Sequence, residues 1–75
     1  MPRLPALTAR QLVRFLAAQG FVEVRQSGSH LTLRRESDGR TVTVPIHTGQ
    51  DIGRGLLHRI LYDAGLSPED FFRLR

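Results

Sequence analysis

Residues 21–46 read FVEVRQSGSHLTLRRESDGRTVTVPI, and the alternation inside this stretch decides the fold. Leu31 and Leu33 fall on one side of an extended chain, and His30, Thr32 and Arg34 fall on the other. Val42, Val44 and Ile46 alternate in the same way with Thr41, Thr43 and Pro45. A period of two marks strands with one buried face and one wet face. Phe21 to Gln26 supplies a strand before them, and His30 begins the second. Gly28-Ser29 turns the chain between the first two strands, and Ser37-Asp38-Gly39 turns it between the second and third. Pro45 cannot donate to a ladder, so it belongs at an edge or a strand end.

Helical patterns flank this core. Thr8-Ala9-Arg10-Gln11 reads as a capping box, because Thr8 can accept from a backbone N–H three residues on while Gln11 reaches back. Leu12, Val13, Phe15 and Leu16 then form a stripe at helical spacing, and Gly20 stops a helix over roughly residues 8–19. Arg10 and Arg14 share another face of it. Beyond a polar loop, His47-Thr48-Gly49-Gln50-Asp51, a second apolar face runs through Leu56, Leu57, Ile60, Leu61 and Ala64. Gly53 and Gly55 weaken its first turn, so regular helix is expected from about residue 54 up to Gly65. Ser67-Pro68-Glu69-Asp70 combines a serine cap, a proline at the first helical position and acids in the first turn. It predicts a short last helix whose Phe71, Phe72 and Leu74 pack back on the core.

The order is helix, three strands, helix, short helix. The simplest solution is an α+β domain over residues 1–75, a three-stranded antiparallel sheet with the helices packed on one face. The other face, carrying His30, Thr32, Arg34, Thr41 and Thr43, is left open to solvent.

Composition narrows the chemistry. The chain has 75 residues and no cysteine, which removes thiol nucleophiles, thiolate metal sites and disulfides and fits a cytoplasmic protein. No apolar run approaches the roughly 20 residues that span a membrane, and Met1 to Thr8 lacks the apolar core of a signal peptide. The formal net charge is +4, and all eleven basic residues are arginine. Arginine presents a planar fork that takes phosphate oxygens in pairs and stacks on bases. The histidines, His30, His47 and His58, lie outside the close spacing of zinc ligand pairs. His47 and Asp51 are the only candidate metal pair, and no phosphate-loop or dinucleotide fingerprint occurs, so neither metal nor cofactor is expected. No nucleophile elbow supports a serine hydrolase.

Ribonuclease chemistry asks for less, because RNA carries its own nucleophile, the 2′-OH. The protein must move protons and stabilise a phosphorane, and one histidine among arginines supplies much of that. Histidine is the side-chain type suited to moving a proton near neutral pH, so His30 is the candidate catalytic residue, and outward Arg34 and Arg25 on the neighbouring strand are candidates to hold phosphate. Gly28 and Ser29 would let the backbone approach the scissile phosphate. His47 is the candidate for a second proton transfer; a loop histidine bonded to Asp51 or to a carbonyl is the competing reading. His58 reads as a surface or interface residue, and Arg59–Asp63 as an i,i+4 ion pair.

The chain resembles the HicA (YcfA-like) toxins of bacterial toxin–antitoxin pairs. Gly20-Phe21, Gly28-Ser29-His30, Asp38-Gly39-Arg40, Val44-Pro45-Ile46-His47-Thr48-Gly49, Gly55-Leu56-Leu57-His58-Arg59-Ile60-Leu61 and Ala64-Gly65-Leu66-Ser67 follow one another in the family's order. The resemblance implies a fold like the double-stranded-RNA-binding domain and an endoribonuclease that cleaves mRNA. It also implies a HicB antitoxin that covers the active site. The family's catalytic histidine, after Gly-Ser, maps onto His30; Leu31 stands where many members carry a second histidine. Two other readings stay open: a non-catalytic RNA-binding module of the same fold, and a protein-interaction domain whose basic surface docks an acidic partner.

Overall fold

Alternation and capping produce the architecture expected of them. The computed structural model describes residues 3–46 and 51–75. Its elements run β1 (Leu7–Thr8), α1 (Ala9–Ala18), β2 (Phe21–Ser27), β3 (His30–Arg35), β4 (Arg40–Pro45), β5 (Asp51–Ile52), α2 (Arg54–Asp63) and α3 (Pro68–Leu74). β2, β3 and β4 form an antiparallel sheet in that order. Leu31, Leu33, Val42 and Val44 are buried against α1 and α2, whose Leu12, Phe15, Leu16, Leu57, Ile60 and Leu61 complete the core. Thr8 caps α1 in a closed capping box with Gln11. Ser67 caps α3 in the same way with Asp70. α3 is held to α1 by an edge-to-face contact of Phe15 with Phe71, ring centroids 4.9 Å apart.

Several details depart from the expectations. Asp51 is not loop: with Ile52 it pairs antiparallel to Thr8 and Leu7, tying the starts of α1 and α2 together. A two-residue strand is too short to show a period, so sequence patterning had nothing to register. Leu56 is 41% exposed and Leu74 38%, so both lie off the buried stripes of their helices. The hairpin between β2 and β3 turns on Gly28 at φ +59 followed by Ser29 at negative φ, the pattern of a type II′ turn. A Cβ at Gly28 would meet open space, so the backbone angle alone demands glycine there.

Both helices are oriented by one side chain, Arg35, at the end of β3. Its guanidinium donates to the carbonyl of Gln19 at the end of α1 (3.3 Å) and to that of Ala64 at the end of α2 (3.0 Å). It forks onto Asp38 through Nε–Oδ1 at 3.1 Å and Nη2–Oδ2 at 2.7 Å, and lies 4.7 Å from the centre of the Phe21 ring. The C-termini of α1 and α2 therefore meet at the Arg35 end of the sheet. Their N-termini are tied to each other by the β1–β5 pair.

Asp38 has a testable consequence. Its hydrogen bond to Arg35 and, less strongly, one from the Arg40 backbone N–H hold its carboxyl down at about 2. An unfolded aspartate has a pKa of about 3.9, so below that pH the unfolded chain takes up a proton that the native state refuses until about pH 2. Native stability is thus expected to fall as pH drops from about 4 towards 2. Thermal melts over that range should show a shallower decline for Asp38→Asn than for the wild type.

Candidate functional site

Directly opposed residues of antiparallel strands share a face, so the register lays out the solvent side of the sheet in three rows. The row next to the type II′ turn is Ser27, His30 and Pro45; the second is Arg25, Thr32 and Thr43; the third is Val22, Arg34 and Thr41. His30 is exposed on this face, while its chain neighbour Leu31 points into the core, 6% exposed. The β3 backbone that carries His30 is clamped on both sides, by Ser27 across the hairpin and by Pro45 on β4. The Ser29 carbonyl also accepts from the Ile46 N–H, locking the turn to the end of β4.

Arg25 reaches this face through an irregularity. Counting inward from buried Phe21, strict alternation would turn Arg25 towards the core side. The register shifts between Glu23 and Arg25, leaving Val24 as an extra residue and bringing Arg25 opposite Thr32. Bulges re-aim side chains in this way. Arg25 and His30 are then diagonal neighbours on adjacent strands, with Cβ atoms roughly 7–8 Å apart, a gap that a long side chain spans. Arg25 is exposed and forms no ion pair among the described residues. Its guanidinium and the His30 imidazole can meet on one phosphate.

Arg34 is placed differently. It shares the face but lies four residues from His30, roughly 13 Å along the strand, and its Nε is bound to Glu36 at 3.1 Å. It cannot share a phosphate with His30. Gly28 and Ser29 form the turn that borders the first row. His47, the candidate for a second proton transfer, lies outside the described residues. His58 lies on the exposed side of α2, in an open groove with Tyr62, Arg40, Thr41 and Asp63. Thr41 belongs to the third row, so this groove is at the far end of the sheet from His30. Among the described residues, no three His, Cys, Asp or Glu side chains are gathered as a metal cluster, and no helix is long and apolar enough to cross a membrane.

Reading the sequence missed two contributors. Val24 is the residue whose insertion delivers Arg25, and nothing in Val22-Glu23-Val24 signals a bulge. Val22 and Val24 are exposed at 53% and 52%, giving the open face an apolar margin along its β2 edge. Their outward position could have been suspected for Val22 from the alternation with Phe21.

A family model described as the HicA toxin of bacterial toxin–antitoxin matches residues 9–66. The matched stretch runs from the first residue of α1 past the end of α2 and contains every residue of the three rows. No curated protein matches the sequence.

Proposed function

The chain belongs to the HicA toxin family of bacterial toxin–antitoxin systems, and we propose that it acts as a metal-independent endoribonuclease that cleaves mRNA with His30 as its proton-transfer residue. The observation that carries this reading is the convergence of His30, fixed in the first row of an open sheet face, with Arg25, turned onto that face by the bulge at Val24. In the reaction a ribose 2′-OH gives up its proton and attacks the adjacent phosphorus. The bond to the 5′-oxygen breaks, and that oxygen takes a proton. His30 performs one of these two transfers, and His47, two residues beyond the Pro45 that faces His30, is our candidate for the other. Arg25 stabilises the charge that develops on the phosphorane. Gly28, with no side chain, and Ser29 let the scissile phosphate come close to the turn. Arg34 holds a phosphate further along the strand.

The antitoxin of the pair, which we take to be of the HicB type, acts by covering this face. A flat surface with a basic centre and the Val22–Val24 margin suits an acidic protein with an apolar contact strip, and such steered association weakens with salt. One observation favours a second reading, a module that binds RNA without cutting it. Among the described residues of the three rows, His30 is the only histidine, so these rows offer one group for the two proton transfers that cleavage needs.

One experiment separates the two. Long single-stranded RNA incubated with the protein in EDTA is expected to be cut to fragments ending in 2′,3′-cyclic phosphate and 5′-OH, while the same sequence as DNA stays intact. Loss of cutting in chelator, or cutting of DNA, would refute the mechanism. RNA that is retarded on a gel but never shortened would establish the binding module.

A further inference from the structure

One side chain is committed to the hairpin turn between β2 and β3. Gln26 reaches forward two residues, and its Nε2 donates to the Gly28 carbonyl at 3.2 Å. This bond is exposed, so it adds little to folding; its effect is to fix the plane of the Gly28–Ser29 peptide. Gln26 is opposed to Leu31, which is buried in the core. Opposed residues share a face, so the Gln26 side chain leaves the sheet on the helix-packed side, away from the face that carries His30. The carbonyl it holds is turned to that same side.

The peptide between Gly28 and Ser29 is trans, and in a trans peptide the C=O and the N–H point in opposite directions. With the carbonyl turned to the helix side, the Ser29 N–H is turned onto the open face, one residue before His30. Among the described residues this N–H donates to no backbone carbonyl, while the carbonyl of the same residue accepts from the Ile46 N–H. The turn thus presents a fixed, unspent donor next to the proton-transfer residue. Gly28 belongs to the same device. Its φ of +59 helps to set the plane of this peptide, and a Cβ there would meet open space, so the backbone angle alone calls for glycine.

We propose that the Ser29 backbone N–H donates to a non-bridging oxygen of the scissile phosphate as negative charge builds on the phosphorane, and that Gln26 is the positioning residue that aims it. This inference rests on the RNA-cleavage reading above and assigns a part of that reaction. The bond from the 2′-oxygen to phosphorus forms and the bond to the 5′-oxygen breaks as before, and the amide keeps its hydrogen throughout. A donor held in place before the charge develops needs no reorganisation, so it favours the transition state over the bound substrate. Gln26 touches no RNA, and its effect belongs to the rate of cutting and not to the affinity.

Two pairs of variants test this by single-turnover cleavage of a single-stranded RNA oligonucleotide in EDTA, over a range of protein concentrations that separates the maximal rate from half-saturation. Ser29→Pro deletes the N–H and little else, because Ser29 is already at negative φ and its carbonyl bond to Ile46 is kept. Its maximal rate is expected to fall about 100-fold or more below that of Ser29→Ala, which keeps the N–H. Gln26→Met and Gln26→Lys have similar unbranched side chains, and only lysine carries a donor for the Gly28 carbonyl. Gln26→Met is expected to lower the maximal rate about tenfold, within the roughly 100-fold that misplacement can cost, with half-saturation unchanged. Gln26→Lys should restore most of the rate, and thermal melts should place the two Gln26 variants together. Equal maximal rates for folded Ser29→Pro and Ser29→Ala, or for Gln26→Met and Gln26→Lys, would overturn the inference and leave His30 as the proton-transfer residue. So would a loss in Gln26→Met that lies wholly in half-saturation. Should Ser29→Pro not fold, the Gln26 pair decides alone. A wild-type protein that never cuts the RNA would overturn the cleavage reading and this inference with it.

Discussion

Replacing Arg35 with alanine is expected to destabilise the protein by about 3 kcal/mol, mostly through two helix-terminal carbonyls. Arg35 donates to the last carbonyls of both α1 and α2, and hydrogen bonds from a charged donor contribute about 1.5–3 kcal/mol each, not additively. Its side chain is only 18% exposed, so water replaces it poorly, and the cation–π contact with Phe21 disappears as well. A domain of this size has a total stability of only about 4–11 kcal/mol. Arg35→Lys retains the charge and loses the planar fork, so it should fall between wild type and alanine. Arg34→Ala, one residue away, removes only an exposed pair with Glu36 and should change stability by less than about 1 kcal/mol. Urea unfolding of the three variants checks the series; equal effects at positions 34 and 35 would disprove the role given to Arg35.

His30→Ala is expected to reduce RNA cleavage by about 10²–10⁴-fold, the range for losing a positioned acid or base. Stability should hardly change, because the imidazole is exposed on the open face and fills no part of the core. Arg25→Ala should also slow cleavage with little effect on folding, whereas Arg34→Ala should mainly weaken RNA binding, since it lies two rows from His30. Single-turnover cleavage assays and thermal melts on the same preparations separate these effects. A His30→Ala protein that is folded and fully active would contradict the assignment.

The contrast between Arg34 and Arg35 marks how much of this was legible in the sequence. Alternation through Leu31, Thr32, Leu33 and Arg34 correctly assigns the faces of β3, because one face is buried and a slip would expose the leucines. The same alternation puts Arg35 on the inward side with Leu31 and Leu33, three residues before Asp38. Carrying the pattern one residue further would have flagged it as a structural cation. The capping box at Thr8 and the serine cap at Ser67 were legible because capping is local chemistry. The β1–β5 pair was not, since it joins residues more than forty apart with two residues on each side. In the candidate site, His30 was visible from the Gly-Ser turn before it. The side of the sheet that Arg25 occupies was not, because it depends on a bulge that no residue type announces. The acids that neutralise Arg34 and Arg40 likewise emerge only once the turn after β3 is folded, whereas Arg59–Asp63 follows from its i,i+4 spacing.

If the His30 imidazole itself moves a proton during RNA cleavage, free imidazole should restore activity to a protein that lacks it. Long single-stranded RNA in EDTA would be incubated with folded His30→Ala protein, with and without added imidazole. The variant alone is expected to give negligible cleavage, and imidazole partial recovery at the same sites that the wild type cuts. Cleavage by the variant at the wild-type rate, with imidazole making no difference, would contradict the proton-transfer role of His30.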